Sequence, residues 1–321
     1  MKAILQDVYG SPEVLRLGDT DEPEVESSGV LVQVRAAGVD RGTAHLMRGE
    51  PYLMRVIGFG FRGPKTRVPG RDVAGTVVRI GSEVTDFQVG DEVFGIAKGS
   101  FAEYAAARAD KLVRKPARLT FEQAAVVPVS ATTAVQGLRD VGHVTAGQQV
   151  LIIGASGGVG TYAVQLAKAF GAWVTGVCST PKVDLVRSIG ADDVIDYTHE
   201  DFADGATRFD LILDTGGNSR ISRLRRAVAP KGTVVIVGGE LGKWLGVGRQ
   251  IRAVALSPFV PQRLAMVVNR EKHDDLDAVR QLIENGQVTP IVDRAYPLAD
   301  ASDALRHLEA GQARGKIAIS I

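Results

Sequence analysis

QVLIIGASGGVGTYAVQLAKAFGAWVTGVC, residues 149–178, holds a strand, a glycine turn, a helix and a second strand in immediate succession. Residues 150–153 form a short apolar run of the kind that fits a strand buried on both faces of a parallel sheet. Ala155-x-Gly157-x-x-Gly160 then turns the chain, and 161–170 continues at helical spacing. Gly171 falls where a glycine closes a helix, and 174–177 supplies the next strand. A glycine turn between a buried strand and a helix is the dinucleotide fingerprint in its required context. Here Ala155 occupies the first glycine slot.

The residue types follow from the task. Small residues at 155, 157 and 158, with Ser156 between them, allow backbone N–H groups to approach a pyrophosphate. A helix starting near Val159 adds unpaired donors and the positive end of its dipole. Gly160 lets that helix pack closely on the strand. Beyond the second strand the chain reads Cys178-Ser179-Thr180-Pro181-Lys182, with no acid before Asp184. An acid there would bind the ribose 2′-hydroxyl and repel a 2′-phosphate. Ser179 and Thr180 instead offer donors and Lys182 a positive charge, unfavourable beside a helix N-terminus unless an anion is present. The cofactor expected is NADP(H).

The 321 residues are 45% hydrophobic, enough for two domains with substantial cores. A formal net charge of +1 with interspersed signs gives no electrostatic case for nucleic acid or an anionic membrane surface. The basic cluster at 223–226 with Lys231 reads as a helix face and its following loop. No apolar run approaches the about 20 residues needed to span a bilayer, and MKAILQDVYG is too polar for a signal peptide. A single cysteine, Cys178, rules out an internal disulfide framework and fits a reducing compartment. A cytoplasmic location is expected.

Strands are expected at 29–36, 73–80 and 92–96, with an irregular stretch at 47–71 and helix over 119–138. After the fingerprint, 210–214 is a strand ending at Thr215-Gly216-Gly217, and 233–237 another ending at Gly238-Gly239. A last strand is expected at 263–268. The tail reads as helix 274–284, strand 291–296, helix 299–310 and strand 317–321. A β-rich first third, a doubly wound middle and a mixed tail suggest an inserted nucleotide domain, with the tail rejoining the first.

VPGRDVAGTVVRIGSEVTDFQVGDEVFG (68–95), GASGGVG (154–160), GADDVIDY (190–197) and ARGKIAISI (313–321) resemble the medium-chain dehydrogenase/reductase superfamily. The nearest branch is that of zinc-free quinone oxidoreductases and enone reductases, and the likeness runs along essentially the whole chain. It implies an α/β fold: a GroES-like β-rich catalytic domain at 1–118, an inserted Rossmann-type doubly wound parallel-sheet domain at 119–271, and a segment at 272–321 completing the first. It also implies a homodimer, formed through the edge strand at 263–268.

The resemblance assigns a cofactor site residue by residue. Gly157, Gly158 and Val159, with Ser156, would meet the pyrophosphate. Ser179, Lys182 and Tyr197 would surround the 2′-phosphate, Thr133 would approach the nicotinamide, and Gly238 and Gly239 would line its ribose. Zinc relatives use Cys, His and carboxylate ligands for catalysis and four cysteines for a structural site. Cys178 alone makes a four-cysteine site impossible. Asp40 stands where the first catalytic ligand would be, Gly70-Arg71-Asp72 replaces Gly-His-Glu, and 128–132 offers neither thiol nor imidazole. The histidines, at 45, 143, 199, 273 and 307, lack metal spacing, so no metal is expected.

Without a Lewis acid, conjugated acceptors such as quinones and enones are the easier targets, because they spread the developing charge. One donor or a water can complete protonation. Candidates are Tyr52, His45 and Asp40. Asp40 stands where the branch usually has asparagine, and is expected to face the nicotinamide or to pair with Arg41 or Arg71. Leu53, Met54, Phe59 and Phe61 suggest an apolar pocket wall for an aromatic or apolar carbonyl or quinone, with Arg62, Lys65 and Arg67 as solvated rim charges. Two alternatives stand beside this reading: an alcohol dehydrogenase or carbonyl reductase of the same superfamily, and a non-catalytic, crystallin-like NADPH-binding protein.

Overall fold

The computed structural model describes residues 1–321 apart from 53–54, 57–59, 206 and 239–247. The chain divides into two compact units, one of residues 1–130, 271–284 and 290–321, the other of 131–270 and 285–289.

The first unit opens with β1 (Lys2–Leu5), paired antiparallel to β2 (Arg16–Asp19). Strand β3 (Gly29–Val39) is the spine of the main sheet. It outlasts the strand expected at 29–36 because Ala37 and Val39 are also buried, against Met47 and Phe101 among others. Helix α1 (Arg41–Arg48) follows at once. Strands β4 (Asp72–Ile80) and β5 (Glu92–Ile96) pair antiparallel in sequence, β6 (Tyr104–Arg108) adds to β3, and β7 (Leu112–Arg114) to β5. Val30, Val32, Val34, Val73, Val77 and Leu112 fill the core they enclose. Helix α2 (Phe121–Ala125) begins at a capping box between Thr120 and Gln123 and packs on β3 and β4. That packing keeps α2 in the first unit, so the compact unit runs past 118 to residue 130.

The continuous helix expected over 119–138 is broken. Pro128 lacks the N–H needed inside a helix but suits a first turn, and a new helix, α3 (Pro128–Val135), starts there and runs into a π-helical turn at Gln136–Val141. The second unit then lays down β8 (Gln149–Ile153), α4 (Gly158–Ala169), β9 (Trp173–Cys178), α5 (Val183–Ser188) and β10 (Asp193–Asp196). It continues with β11 (Phe209–Asp214), α6 (Ile221–Ala227), β12 (Val228–Ile236), α7 (Gly248–Leu256) and β13 (Arg263–Met266). All six strands are parallel, in the order β10-β9-β8-β11-β12-β13. The order reverses between β8 and β11, the switch point at which open parallel sheets bind ligands beyond their strand C-termini. Leu151, Ile153, Ile212, Val234, Ile236 and Leu264 belong to one buried cluster in this unit. β13 is an edge strand.

The chain returns to the first unit with α8 (His273–Glu284), β14 (Val292–Pro297), α9 (Ala301–Glu309) and β15 (Lys316–Ser320). β15 pairs antiparallel with β3, Ile317 opposite Val39, and β14 lies parallel on its far side. The tail therefore completes the sheet β14-β15-β3-β4-β5-β7. Ala301, Ala304 and Leu305 of α9 join Ile317 and Ile319 in a second core. Among the described residues no helix is long and apolar enough to cross a membrane.

Candidate functional site

The glycine turn of the second unit is built by close approach. Gly154 has φ +81°, and Thr215 just beyond β11 donates its hydroxyl to Ile153 O at 2.8 Å. Gly154 N and Ala155 N donate to Val177 O at 3.1 and 3.0 Å, folding the turn back on β9. A Cβ on Gly160 would lie 2.0 Å from Gly154 O, so only glycine permits this contact between helix and turn. Gly157 is the N-cap of α4 and offers no side-chain cap. Among the described residues no side-chain cap is given to the first turn of this 12-residue helix, whose amides point outward as helix N-terminal donors do. Ser156, Gly157, Gly158 and Val159 gather there, at the positive end of the dipole, and the cradle fits a pyrophosphate.

The neighbouring strand ends bring three more candidates together. Ser179 follows β9 and begins the turn Thr180–Lys182, and Lys182 is the N-cap of α5. Tyr197 follows β10, and its N–H donates to Cys178 O at 3.1 Å. At 58% exposed, its ring is not a packing tyrosine. Asp196 beside it went unread in the sequence. Its carboxylate accepts from Thr198 N at 3.0 Å and Thr198 Oγ1 at 2.7 Å, and hydrogen bonding from the hydroxyls of Thr180 and Thr198 pulls its pKa down to about 2. The acid of this sheet end therefore sits one strand beyond the position that selects a free ribose hydroxyl. An acid closing the VID strand was the available signal.

At the opposite side of the switch point, the buried Asp214 ends β11. Its Oδ1 accepts from Gly216 N and Gly217 N, each at 3.1 Å, and its Oδ2 from Arg249 of α7 at 2.7 Å. Arg249 also donates to Ser219 O at 2.7 Å and to Gly238 O at 2.9 Å. Thr133 on α3 accepts from Asn269 Nδ2, which also reaches Thr132 Oγ1 at 3.2 Å. Neither Arg249 nor Asn269 carried a sequence signal, because their partners lie far away along the chain. Gly239 lies outside the described residues.

The first unit holds the acid–base candidates. Asp40 is buried as the N-cap of α1, where its Oδ1 accepts from Thr43 N at 2.7 Å and Thr43 Oγ1 at 3.2 Å. The expected pairing with Arg41 or Arg71 is not found: among the described residues Arg71 pairs with Glu271 and Asp40 forms no ion pair. A cap at the start of a helix satisfies orphan amides, which explains the carboxylate there. His45 lies on the same helix, and burial, reinforced by the Arg41 charge, holds its pKa below the usual imidazole range. The Arg55 guanidinium lies 4.7 Å from the Tyr52 ring centroid and 4.4 Å from that of Tyr9. It is anchored in turn on Gly49 O at 2.8 Å and Arg48 O at 3.1 Å. Of the expected pocket wall, Leu53, Met54 and Phe59 lie outside the described residues and Phe61 is exposed. Arg67 is tied to Asp7 at the surface.

Behind α1, Asp72 and Lys316 form a buried pair. Asp72 Oδ1 accepts from Val129 N at 3.1 Å, and its Oδ2 lies 3.5 Å from Lys316 Nζ. Burial pushes the Asp72 carboxyl up to about 7, opposed by Lys316 and assisted by the charge of Asp40. Among the described residues no group of three or more His, Cys, Asp and Glu is placed to hold a metal ion. The Cys178 thiol is buried at the end of β9, and desolvation raises its pKa to about 11.

Residues 26–117 match the family described as alcohol dehydrogenase GroES-like domain, and 189–319 match zinc-binding dehydrogenase. The 2-methylene-furan-3-one reductase of Solanum lycopersicum is 34% identical over 337 residues, spanning 99% of this chain and 79% of that protein. The quinone oxidoreductase of Coxiella burnetii superposes with a TM-score of 0.88 at 29% identity, over 100% of this chain and 99% of that one. The Escherichia coli quinone oxidoreductase complexed with NADPH gives 0.86 at 25%, over 100% of both chains.

Proposed function

The chain belongs to the medium-chain dehydrogenase/reductase superfamily, and within it we propose a zinc-independent, NADPH-dependent reductase of quinones or α,β-unsaturated carbonyl compounds. The observation that carries this reading is the sheet end of the second unit. There a glycine turn at a helix N-terminus with no side-chain cap is joined at the neighbouring strand ends by Ser179, Lys182 and Tyr197, while the acid closing β10, Asp196, accepts from Thr198 and Thr180. Ser179 and Lys182 supply the donors and charge that a 2′-phosphate requires.

The donor set does not fit zinc. Asp40 caps α1 through Oδ1, Arg71 pairs with Glu271, and the one thiol is buried at the end of a Rossmann strand. A structural zinc site takes four ligands and a catalytic one three plus water. The family description of the second matched segment, 189–319, names zinc, but among the described residues no group of three or more His, Cys, Asp and Glu is placed to hold a metal ion.

The bound nicotinamide would supply a hydride to an electron-poor carbon of the substrate. The protein then has to deliver one proton, giving a saturated carbonyl compound or a hydroquinone. Tyr52 is the donor we assign, because Arg55 fixes its ring. His45 suits the role less, since burial and the Arg41 charge disfavour its imidazolium form. A homodimer paired through β13 and a reducing, cytoplasmic setting complete the proposal.

Loss of NADPH absorbance with a panel of quinones, enones and simple aldehydes tests the reading. Turnover of quinones or enones that survives a chelator is expected. Turnover of simple aldehydes alone, abolished by a chelator and restored by zinc, would favour an alcohol dehydrogenase. Tight NADPH binding without turnover of any acceptor would favour a non-catalytic binding protein.

A further inference from the structure

We propose that Arg249 is a positioning residue for the dinucleotide, holding the strand-end loop after β11 in register with Gly238 while cancelling the charge of the buried Asp214. The inference rests on the second unit being the dinucleotide site, as argued above. Three observations carry it.

The first is the reach of one guanidinium. Arg249 joins Asp214 Oδ2, Ser219 O and Gly238 O, so that the chain leaving β11 and Gly238, just past the adjacent β12, share a single anchor on α7. The planar fork of arginine suits this, and lysine could not reproduce it. The second is where the β11 loop lies. Asp214 also holds Gly216 N and Gly217 N, and Thr215 between them donates to Ile153 O. A Cβ on Gly154 would lie 3.0 Å from Gly216 N, so the clamped loop directly abuts the glycine turn. A shift of the β11 loop would therefore move one wall of the pyrophosphate cradle.

The third is electrostatic. The Asp214 side chain is 0% exposed and Arg249 only 19%, whereas the Arg223–Asp201 pair of the same unit is 37% and 44% exposed. A buried ion pair is poor value as a source of stability, since an apolar pair often serves as well. A lone carboxylate at the switch point would also oppose an anionic cofactor. Arg249 removes that opposition without bringing a cation to the cradle itself.

The test compares NADPH dissociation constants of the full-length wild type, R249A, R249K, R249A/D214N and the control R223A, well below the unfolding temperature of each. R249A is expected to weaken binding about tenfold, and R249K about threefold because charge is kept while the Gly238 and Ser219 anchors are lost. R249A/D214N is expected to bind more tightly than R249A, since the uncompensated charge is gone. R223A should bind as the wild type does. With activity in hand, KM for NADPH should rise while kcat at saturating NADPH stays within about twofold. A purely structural role would instead lower the unfolding temperature and leave the dissociation constant alone. If R249A does not fold, R249K carries the test. Wild-type affinity in R249K, or equal weakening in R223A, would overturn the clamp alone. A wild type that binds no nicotinamide dinucleotide would overturn the proposed function and the clamp with it.

Discussion

Lys316 and Asp72 meet at 3.5 Å with side chains 2% and 0% exposed, and neither Lys316 Nζ nor Asp72 Oδ2 has a hydrogen-bond partner among the described residues. Burial raises the Asp72 carboxyl from 3.8 to about 7, so the folded state keeps a proton that the unfolded chain releases. Through this group, stability is fully present below about pH 4 and is lost as pH rises towards 7. Lys316 is the neighbour that most lowers the Asp72 value. Lys316→Met should therefore raise the Asp72 value further and lower stability, with a larger deficit at about pH 8 than at about pH 6. Denaturant unfolding at the two pH values measures it, and a deficit that shrinks as pH rises contradicts the assignment. Tyr52 makes a second claim at this scale. Tyr52→Phe should lower kcat with an enone by about 100-fold, within the range of general acid catalysis, and leave the NADPH dissociation constant unchanged. His45→Gln should lower it by less than about threefold, and the reverse ranking in steady-state kinetics would exchange their roles.

Among the elements, α4 shows how much a local pattern can specify. Its fit to β8 depends on one missing side chain: a Cβ at residue 160 would sit 2.0 Å from Gly154 O and 2.8 Å from the Ala155 Cα. Gly160→Ala should force the helix off the turn, lowering stability by several kcal/mol, within the range for such backbone strain. NADPH affinity should fall with it, and thermal unfolding with and without NADPH reads both effects. An alanine variant with an unchanged unfolding temperature and an unchanged NADPH-induced shift would show that the contact is not required. The β8–α4–β9 unit was legible because its signals are contiguous. Short strands such as β1, β2 and β7 were not, since three or four residues carry too little periodicity. The Asp40 carboxylate is visible in the sequence but its cap is not: a helix cap and an ion-pair partner look alike until the Thr43 amide is placed. Arg249, Asn269 and Lys316 were invisible as site residues because each meets a partner that only the fold brings near.

At the scale of the whole molecule, the chain spends its first segment and its tail on one sheet and gives the parallel sheet to the segment between. That arrangement follows from β15, which pairs with β3 as Ile317 and Ile319 enter the core of the first unit. It leaves the second unit with a single switch point, flanked by the glycine turn, the Ser179–Lys182 corner and the Asp214–Arg249 pair. The central claim is that this sheet end recognises a 2′-phosphorylated dinucleotide. Titration of the full-length protein with NADPH and NADH, followed by protein fluorescence, tests it most directly. NADPH is expected to bind at least about tenfold more tightly, with most of that ratio lost in Lys182→Ala as one charge-assisted contact disappears. Equal affinities in the wild type, or tighter NADH binding, would contradict it.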